Sequence, residues 1–326
     1  MRQSLPEQIA ANKRASAFLV FLLVVLLTAL GTAIIGAYSP KNWILGSVGS
    51  LALAVILAII ASTAGPSIVL GISGAREATE AEDRMLRNVT EEMAIASGLP
   101  MPKVFVIDDP APNAFATGKD PQNGVIAVTT GLLRKLDRDE LQGVVAHELS
   151  HIRNYDIRYM TTVGLIAGAI PMIADSFRNM LWWGGGPRRD RDRNGASDGN
   201  QLQAIFMVVA LVLSILAPIF SALLHMAVSR QREYLADTSA AQMTRYPEGL
   251  ARALERIASD GERLGRANRA TEHMYIVNPL ALEGDSTSLF STHPSTADRI
   301  KRLMGMAGNP AEPLIDSQAQ SQRQRG

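Results

Sequence analysis

The sequence predicts a mainly α membrane protein: two N-terminal transmembrane helices, a second apolar helix pair further along, and a cytoplasmic α+β domain carrying a small β-sheet. Three observations predict it. Apolar residues make up 47% of the 326 residues and charged residues only 19%, a balance shifted towards membrane proteins. The charges are segregated, and residues 15–37 carry none, a run long enough to cross a bilayer at about 1.5 Å per residue. Between the apolar runs lie short strand-like segments and polar amphipathic ones.

The elements follow in order. Residues 1–14 form a cytoplasmic N-terminus ending in Lys13 and Arg14. Residues 15–75 read as a transmembrane hairpin. Its first span is residues 15–37, Ser39-Pro40-Lys41-Asn42 is the tight link, and the second span runs from Trp43 to about Thr63, with Trp43 suited to the interface. A cleaved signal peptide is the alternative for the first run, but the run is too long and no clean cleavage site follows. Lys13, Arg14, Arg76, Arg84 and Arg87 flank one side of the hairpin and Lys41 alone the other. The positive-inside rule therefore places everything after residue 76 in the cytoplasm.

Residues 77–97 read as an amphipathic helix ending at Gly98, and Pro100 and Pro102 break the chain after it. Residues 103–107 and 124–129 alternate as strands. A helix starts near Asp137, where Asp137 and Glu140 have capping-box spacing, and runs to about Asn154. Residues 159–229 form an apolar helix pair around a charged loop at 184–199. The uncharged part of its first member, 159–174, is short for a span and contains Pro171. The pair either crosses the membrane as a hairpin, which is the reading preferred, or lies in the interface; crossing puts Arg188, Arg189, Arg191 and Arg193 outside, against the positive-inside rule. Residues 230–307 are polar and helical, and the Gln/Ser/Pro-rich tail 308–326 reads as disordered.

On the predicted helix ending at Asn154 sits His147-Glu148-Leu149-Ser150-His151. Four residues apart, His147 and His151 share a face and can grip one metal ion, with Glu148 beside them to take a proton from water. Alone this pattern is a moderate signal. The chain has no cysteine, so a metal here must use His and carboxylate ligands, which suits a catalytic site with an open position. The best third ligand is Glu233, followed on the same helical face by Asp237, which is placed to orient a ligand imidazole. The bland alternative is a solvated helix face with ordinary Arg–Glu pairing. A net charge of +1 argues against nucleic acid as a partner.

Four separated elements resemble one family. HELSHIRNYD (147–156), REYLAD (232–237), Asn113-Ala114-Phe115-Ala116 and the His293-Pro294 element are similar to the HtpX heat-shock membrane proteases, relatives of the CAAX prenyl proteases. The resemblance spans roughly residues 10–305. It implies a zincin-like cytoplasmic metallopeptidase domain built from 76–158 and 230–307, and one Zn2+ per chain held by His147, His151 and Glu233. It further implies Glu148 as general base, and Asp156 and Asp237 as residues that orient the ligands. His293 would stabilise the oxyanion or orient substrate, or else be a structural histidine. Asn113, Ala114, Phe115 and Ala116 would hold extended substrate, or else form an ordinary turn. His225 and His273 are read as unrelated.

The implied protein is a multi-pass zinc endopeptidase of the bacterial inner membrane, with its site facing the cytoplasm. Its partners would be the lipid bilayer and polypeptide substrates, chiefly misfolded or damaged membrane proteins. The alternatives are a narrow-specificity processing peptidase of the prenyl-protease type and a non-catalytic zinc-binding membrane scaffold. An intact Glu148 argues against the scaffold.

Overall fold

The computed structural model describes residues 5–79, 83–183, 197–266, 271–279 and 294–307. In chain order the elements are α1 (Leu5–Tyr38), α2 (Trp43–Thr63), α3 (Gly65–Ser73), β1 (Ala75–Glu77), α4 (Arg84–Ser97), β2 (Lys103–Ile107), β3 (Ala114–Gly118), β4 (Gly124–Thr129), α5 (Thr130–Lys135), α6 (Arg138–Arg153), α7 (Asp156–Trp182), α8 (Ser197–Thr244), α9 (Pro247–Ala258) and α10 (Thr296–Ala307). The charged loop expected at 184–199 lies outside the described residues as far as 196, and Ser197 already begins α8. The tail 308–326 and His293 also lie outside them.

Among the described residues, four helices are long and apolar enough to cross a membrane: Arg14–Tyr38, Pro40–Thr63, Asp156–Trp182 and Gln201–Leu224. They pack as a bundle, α1 against α2 and α8, and α7 against α8, α1 and α2. Leu23, Leu27, Leu30, Ala54, Val163, Ile166, Ile170 and Ala217 fill its interior. The outward face is apolar as well, with Phe18, Phe21, Ile44, Leu45, Val208 and Phe220 exposed, as a lipid-facing surface requires.

The first member of the second pair is not short. The uncharged run ends at Ala174, but α7 continues to Trp182, because Asp175 and Arg178 form an ion pair with each other. Both members carry an internal proline, Pro171 in α7 and Pro218 in α8. A proline has no N–H, so it leaves the carbonyl four residues before it without its helical donor. Those two carbonyls belong to Ala167 and Ser214, and the partner helix serves both. Ser221 Oγ of α8 donates to the Ala167 carbonyl at 3.4 Å, and Arg178 Nη1 of α7 donates to the Ser214 carbonyl at 2.5 Å. Inside a bilayer, where water cannot substitute, such partners are what makes an internal proline tolerable.

The sheet order is β1-β2-β4-β3, with β2 and β4 parallel and the other pairs antiparallel. The expected strands at 103–107 and 124–129 form as read. One expectation is corrected. The helix anticipated from residue 77 starts at Arg84, because Ala75–Glu77 pair with Ile107–Phe105 as β1. Ala114–Gly118 form the edge strand β3, pairing with Val128–Gly124, so the segment expected to be extended is a strand and the alternative of an ordinary turn falls.

Strand alternation divides the sheet's two faces. Val104, Val106, Ile126 and Val128 pack on Leu141, Val144, Val145 and Leu149 of α6 and on Leu86, Val89 and Met93 of α4. Ile107, Phe115 and Ala127 pack on Val69 of α3 and on Tyr275.

Helix α6 begins with the expected capping box. Asp137 accepts from the Glu140 amide at 2.9 Å, and Glu140 accepts from the Asp137 amide at 3.0 Å. Its Gly143 is required by the close approach of α9: a Cβ there would stand 2.6 Å from the Leu250 nitrogen. The core contacts on one side and α9 on the other leave α6 no freedom to rotate its histidines.

Candidate metal centre

Helical spacing puts His147 and His151 on one face of α6, their rings edge to face with centroids 4.8 Å apart. Their Nε2 atoms lie 3.2 Å from each other. Helix α8 brings Glu233 against them, Oε2 3.7 Å from His147 Nε2 and Oε1 3.5 Å from His151 Nε2. One ligand atom from each residue falls within 4.8 Å of the others, and all three residues are buried.

Each imidazole is oriented from behind. His147 Nδ1 donates to Asp237 Oδ1 at 3.0 Å. His151 Nδ1 donates to Asp156 Oδ2 at 3.3 Å. With Nδ1–H committed to a carboxylate, each ring in its neutral form presents the Nε2 lone pair inward.

Each carboxylate is in turn met by an arginine. Arg299 holds Asp237 with two bonds, Nε to Oδ2 at 2.9 Å and Nη2 to Oδ1 at 2.8 Å. Arg232 Nη1 lies 3.3 Å from Asp156 Oδ1, stacks over the Tyr159 ring at 3.8 Å and donates to Ser16 Oγ of α1.

The fit to a metal can be tested by charge. Glu148, Asp156, Glu233 and Asp237 are all buried, and the buried cations facing them are Arg232 and Arg299. With all four carboxylates ionised and both rings neutral, the two guanidinium groups leave two negative charges, which the metal-free pocket offsets by holding protons on His151 and Glu148. Uncompensated buried charge is strongly destabilising, and a divalent cation would balance this cluster. Two imidazoles and a carboxylate are also the donor set of catalytic zinc.

A sequence profile of Peptidase family M48 matches residues 80–307, more than half of the chain. The chain belongs to peptidase family M48. It is 46% identical over 303 residues to the "Protease HtpX homolog" of Dictyoglomus thermophilum, covering 92% of this chain and 94% of that protein. It is 43% identical over 300 residues to the "Protease HtpX homolog" of Streptococcus uberis, covering 92% and 99%. Among solved structures, S. mikatae Ste24p aligns with a TM-score of 0.48 at 21% identity, over 91% of this chain and 65% of that one. Family membership together with the four apolar helices makes this chain a membrane metalloprotease.

The M48 site is electrostatically uneven. Burial pushes His147 down, against the pull of its hydrogen bond to Asp237. Burial also opposes charge on His151, but the hydrogen bond to Asp156 and the charges of Glu233 and Asp156 outweigh it and hold the ring up at about 9. Burial raises Glu148 to about 8, with His151 pulling the other way and Glu233 adding to the rise. Asp237 would rise on burial, yet the Arg299 charge brings it below the usual carboxylate range.

Glu148 is 1% exposed, and neither carboxylate oxygen has a hydrogen-bond partner among the described residues. The Ala116 amide of β3 lies near enough to favour its charged form without making a full bond. A buried carboxyl beside a metal cluster with no protein partner is placed to serve something that enters the site.

Other expected residues fall as follows in the M48 fold. Asn113 Nδ2 donates to the Val277 carbonyl at 2.9 Å, and the Ile276 amide donates to the Ala114 carbonyl at 2.9 Å. At these two positions the edge expected to take substrate is therefore already paired with residues 276–277. Phe115 and Ala116 are buried in the same strand. His273 hydrogen-bonds the Met160 carbonyl through Nε2 at 2.9 Å, a packing role in keeping with its reading as unrelated.

Two residues were not anticipated. The sequence suggests for Arg232 only an ordinary surface pairing, yet it is buried. Arg299 had no role, although it stands four residues before Leu303 on the buried stripe of α10. A charge within an apolar stripe was the available signal.

Proposed function

We propose that this chain is a zinc-dependent endopeptidase that cuts misfolded or damaged membrane proteins at the cytoplasmic face of the bacterial inner membrane. One observation carries the reading: His147, His151 and Glu233 converge, with a buried carboxyl, Glu148, beside them whose oxygens have no hydrogen-bond partner among the described residues. His147, His151 and Glu233 hold the zinc, and Asp237 and Asp156 keep the two rings turned towards it. Zinc, when bound, supplies a Lewis acid that brings the pKa of water down to about 7. Glu148 accepts the proton of the attacking water on a carboxylate oxygen and passes it to the leaving nitrogen of the cut bond. In the metal-free site burial raises Glu148 to about 8; a bound cation would favour its carboxylate form, the form that accepts the proton.

The cytoplasmic orientation is supported by Lys13, Arg14, Arg76, Arg84 and Arg87 on the side of the site. Membrane proteins are favoured as substrates because Asp156, which touches His151, is also the first residue of a membrane helix.

The test compares the purified full-length chain with Glu148→Ala, each with zinc and with a chelator, on an unfolded protein substrate. Cleavage is expected from the zinc-loaded native chain alone. Equal cleavage by both chains removes the mechanism.

A further inference from the structure

Arg299 is 1% exposed, and the hydrolysis described above makes no use of it. Its guanidinium is nonetheless fully engaged. Two donors hold both oxygens of Asp237 at 2.9 and 2.8 Å. A third, Nη1, donates to the Ile276 carbonyl at 2.7 Å and lies 3.3 Å from Glu233 Oε2. Nη2 comes within 3.4 Å of His147 Nε2.

Three consequences follow from that geometry. A forked, bidentate grip prevents Asp237 from rotating away from His147, so it sets the plane of that imidazole. The ion pair to Oε2, an electrostatic contact rather than a directed hydrogen bond, draws that Glu233 oxygen towards Arg299 while Oε1 faces His151. The bond to Ile276 reaches a different part of the site. The Ile276 amide donates to Ala114, and Tyr275 bridges Phe115, so this segment lies along the outer edge of β3. Glu148 lies near Ala116 of the same strand. One side chain thus touches a metal ligand, the carboxylate that orients a second ligand, and the segment that borders the strand nearest the general base.

We propose that Arg299 is a positioning residue that holds Glu233 and His147 in ligating geometry and ties them to the Tyr275–Val277 segment, so that zinc loading and the order of that segment are linked. This rests on the reading of His147, His151 and Glu233 as the zinc ligands. Lysine can supply the charge but not the fork, which separates geometry from electrostatics.

The experiment uses the full-length chain in detergent and measures two things other than activity. The first is zinc affinity, by competition with a chromophoric chelator. The second is hydrogen exchange of the 274–277 backbone with and without zinc. The proteins are native, Glu233→Gln, Arg299→Lys and Arg299→Gln. Zinc affinity is expected to fall on the order of 10- to 100-fold in Arg299→Gln, as for other residues that orient metal ligands, with Arg299→Lys between that and the native value. Zinc is expected to slow exchange at Ile276 in the native chain and to lose that effect in both arginine variants. Native affinity in Arg299→Gln and Arg299→Lys, even with a lowered melting temperature, makes Arg299 purely structural and overturns the proposal. Zinc-dependent protection of Ile276 that survives in both variants overturns the linkage. Should Arg299→Gln fail to fold, Arg299→Lys decides by the same two readouts. Native zinc affinity in Glu233→Gln would sink the ligand assignment instead, so the two failures are distinguishable.

Discussion

Asp156 stands 3.3 Å from Nδ1 of His151, and it is also the first residue of α7, a helix long and apolar enough to cross a membrane. The chain makes this turn in two residues. Asn154 closes α6, and Tyr155 adopts a left-handed conformation with φ 62°, which a non-glycine residue enters at a cost of about 1–2 kcal/mol. That backbone strain sits at the joint that delivers Asp156 to His151, as strained residues often do at functional sites; among the described residues Arg245 is the other non-glycine with a left-handed φ, 52°.

Replacing Asp156 by Asn keeps the shape but removes the charge that fixes the His151 tautomer and pairs with Arg232. Zinc affinity should drop about 10- to 100-fold, read by chelator competition. An unchanged affinity would show that His151 needs no support from Asp156.

Glu148→Gln should separate binding from chemistry. The amide keeps the volume and cannot act as a base, so zinc affinity should stay near native while peptide cleavage falls at least about 10²- to 10⁴-fold. Zinc content by elemental analysis and single-turnover cleavage measure the two. Retained cleavage would transfer the role of base elsewhere.

Zinc affinity should rise with pH. In the metal-free pocket His151 holds its proton up to about pH 9 and Glu148 up to about 8, whereas a zinc ligand must be the neutral ring, so binding expels protons. Both groups sit above their ordinary values of 6.5 and 4.5. The stability they lend the metal-free fold is therefore full below those values and is lost as pH climbs through about 8 to 9. The chelated protein should melt at a lower temperature at pH 9 than at pH 7, and the zinc-loaded protein should change less. An affinity that stays flat over that window counts against this charge balance.

The two proline-released carbonyls can be tested by a double-mutant cycle. Ser221→Ala leaves the Ala167 carbonyl without a donor and should cost about 0.5–1.5 kcal/mol. With Pro171→Ala the helix supplies its own donor, and the cost of Ser221→Ala should shrink. Equal cost in both backgrounds, by thermal unfolding in detergent, would mean the bond does no such service.

The crossing of α7 and α8 is open to labelling, because the chain has no native cysteine. A single Asn194→Cys should react with an impermeant thiol reagent added from the outer face of intact cells. Reaction only after the cytoplasmic face is opened would leave the pair in the interface.

Much of the site was legible because it is local. The capping box at Asp137 and Glu140 and the spacing of His147 and His151 lie within one helix, and strand alternation at 103–107 and 124–129 is a short-range pattern. Glu233 was reachable by elimination, since without cysteine the donors had to be His or carboxylate. Arg299 was not, because its partners Asp237 and Ile276 are distant in sequence and only the tertiary fold brings them together. The extent of α7 was hidden for a related reason: Asp175 and Arg178 look like the end of an apolar run until each is seen to neutralise the other. Strand β1 was missed because three residues are too few to show alternation, and its existence depends on the edge that β2 offers.

Helix α8 carries both a stretch long and apolar enough to span a membrane, Gln201–Leu224, and the residue proposed as third ligand. Glu233 lies nine residues past Leu224 (233 − 224), at most about 14 Å along the axis. On the orientation proposed above, the helix works as a depth gauge, setting the cutting point at a fixed altitude over the bilayer. A loop of a neighbouring membrane protein must climb that distance and return. At about 3.3 Å per extended residue this takes roughly nine residues in all, so tight cytoplasmic turns would be out of reach, and long or unfolded loops would be exposed to cutting.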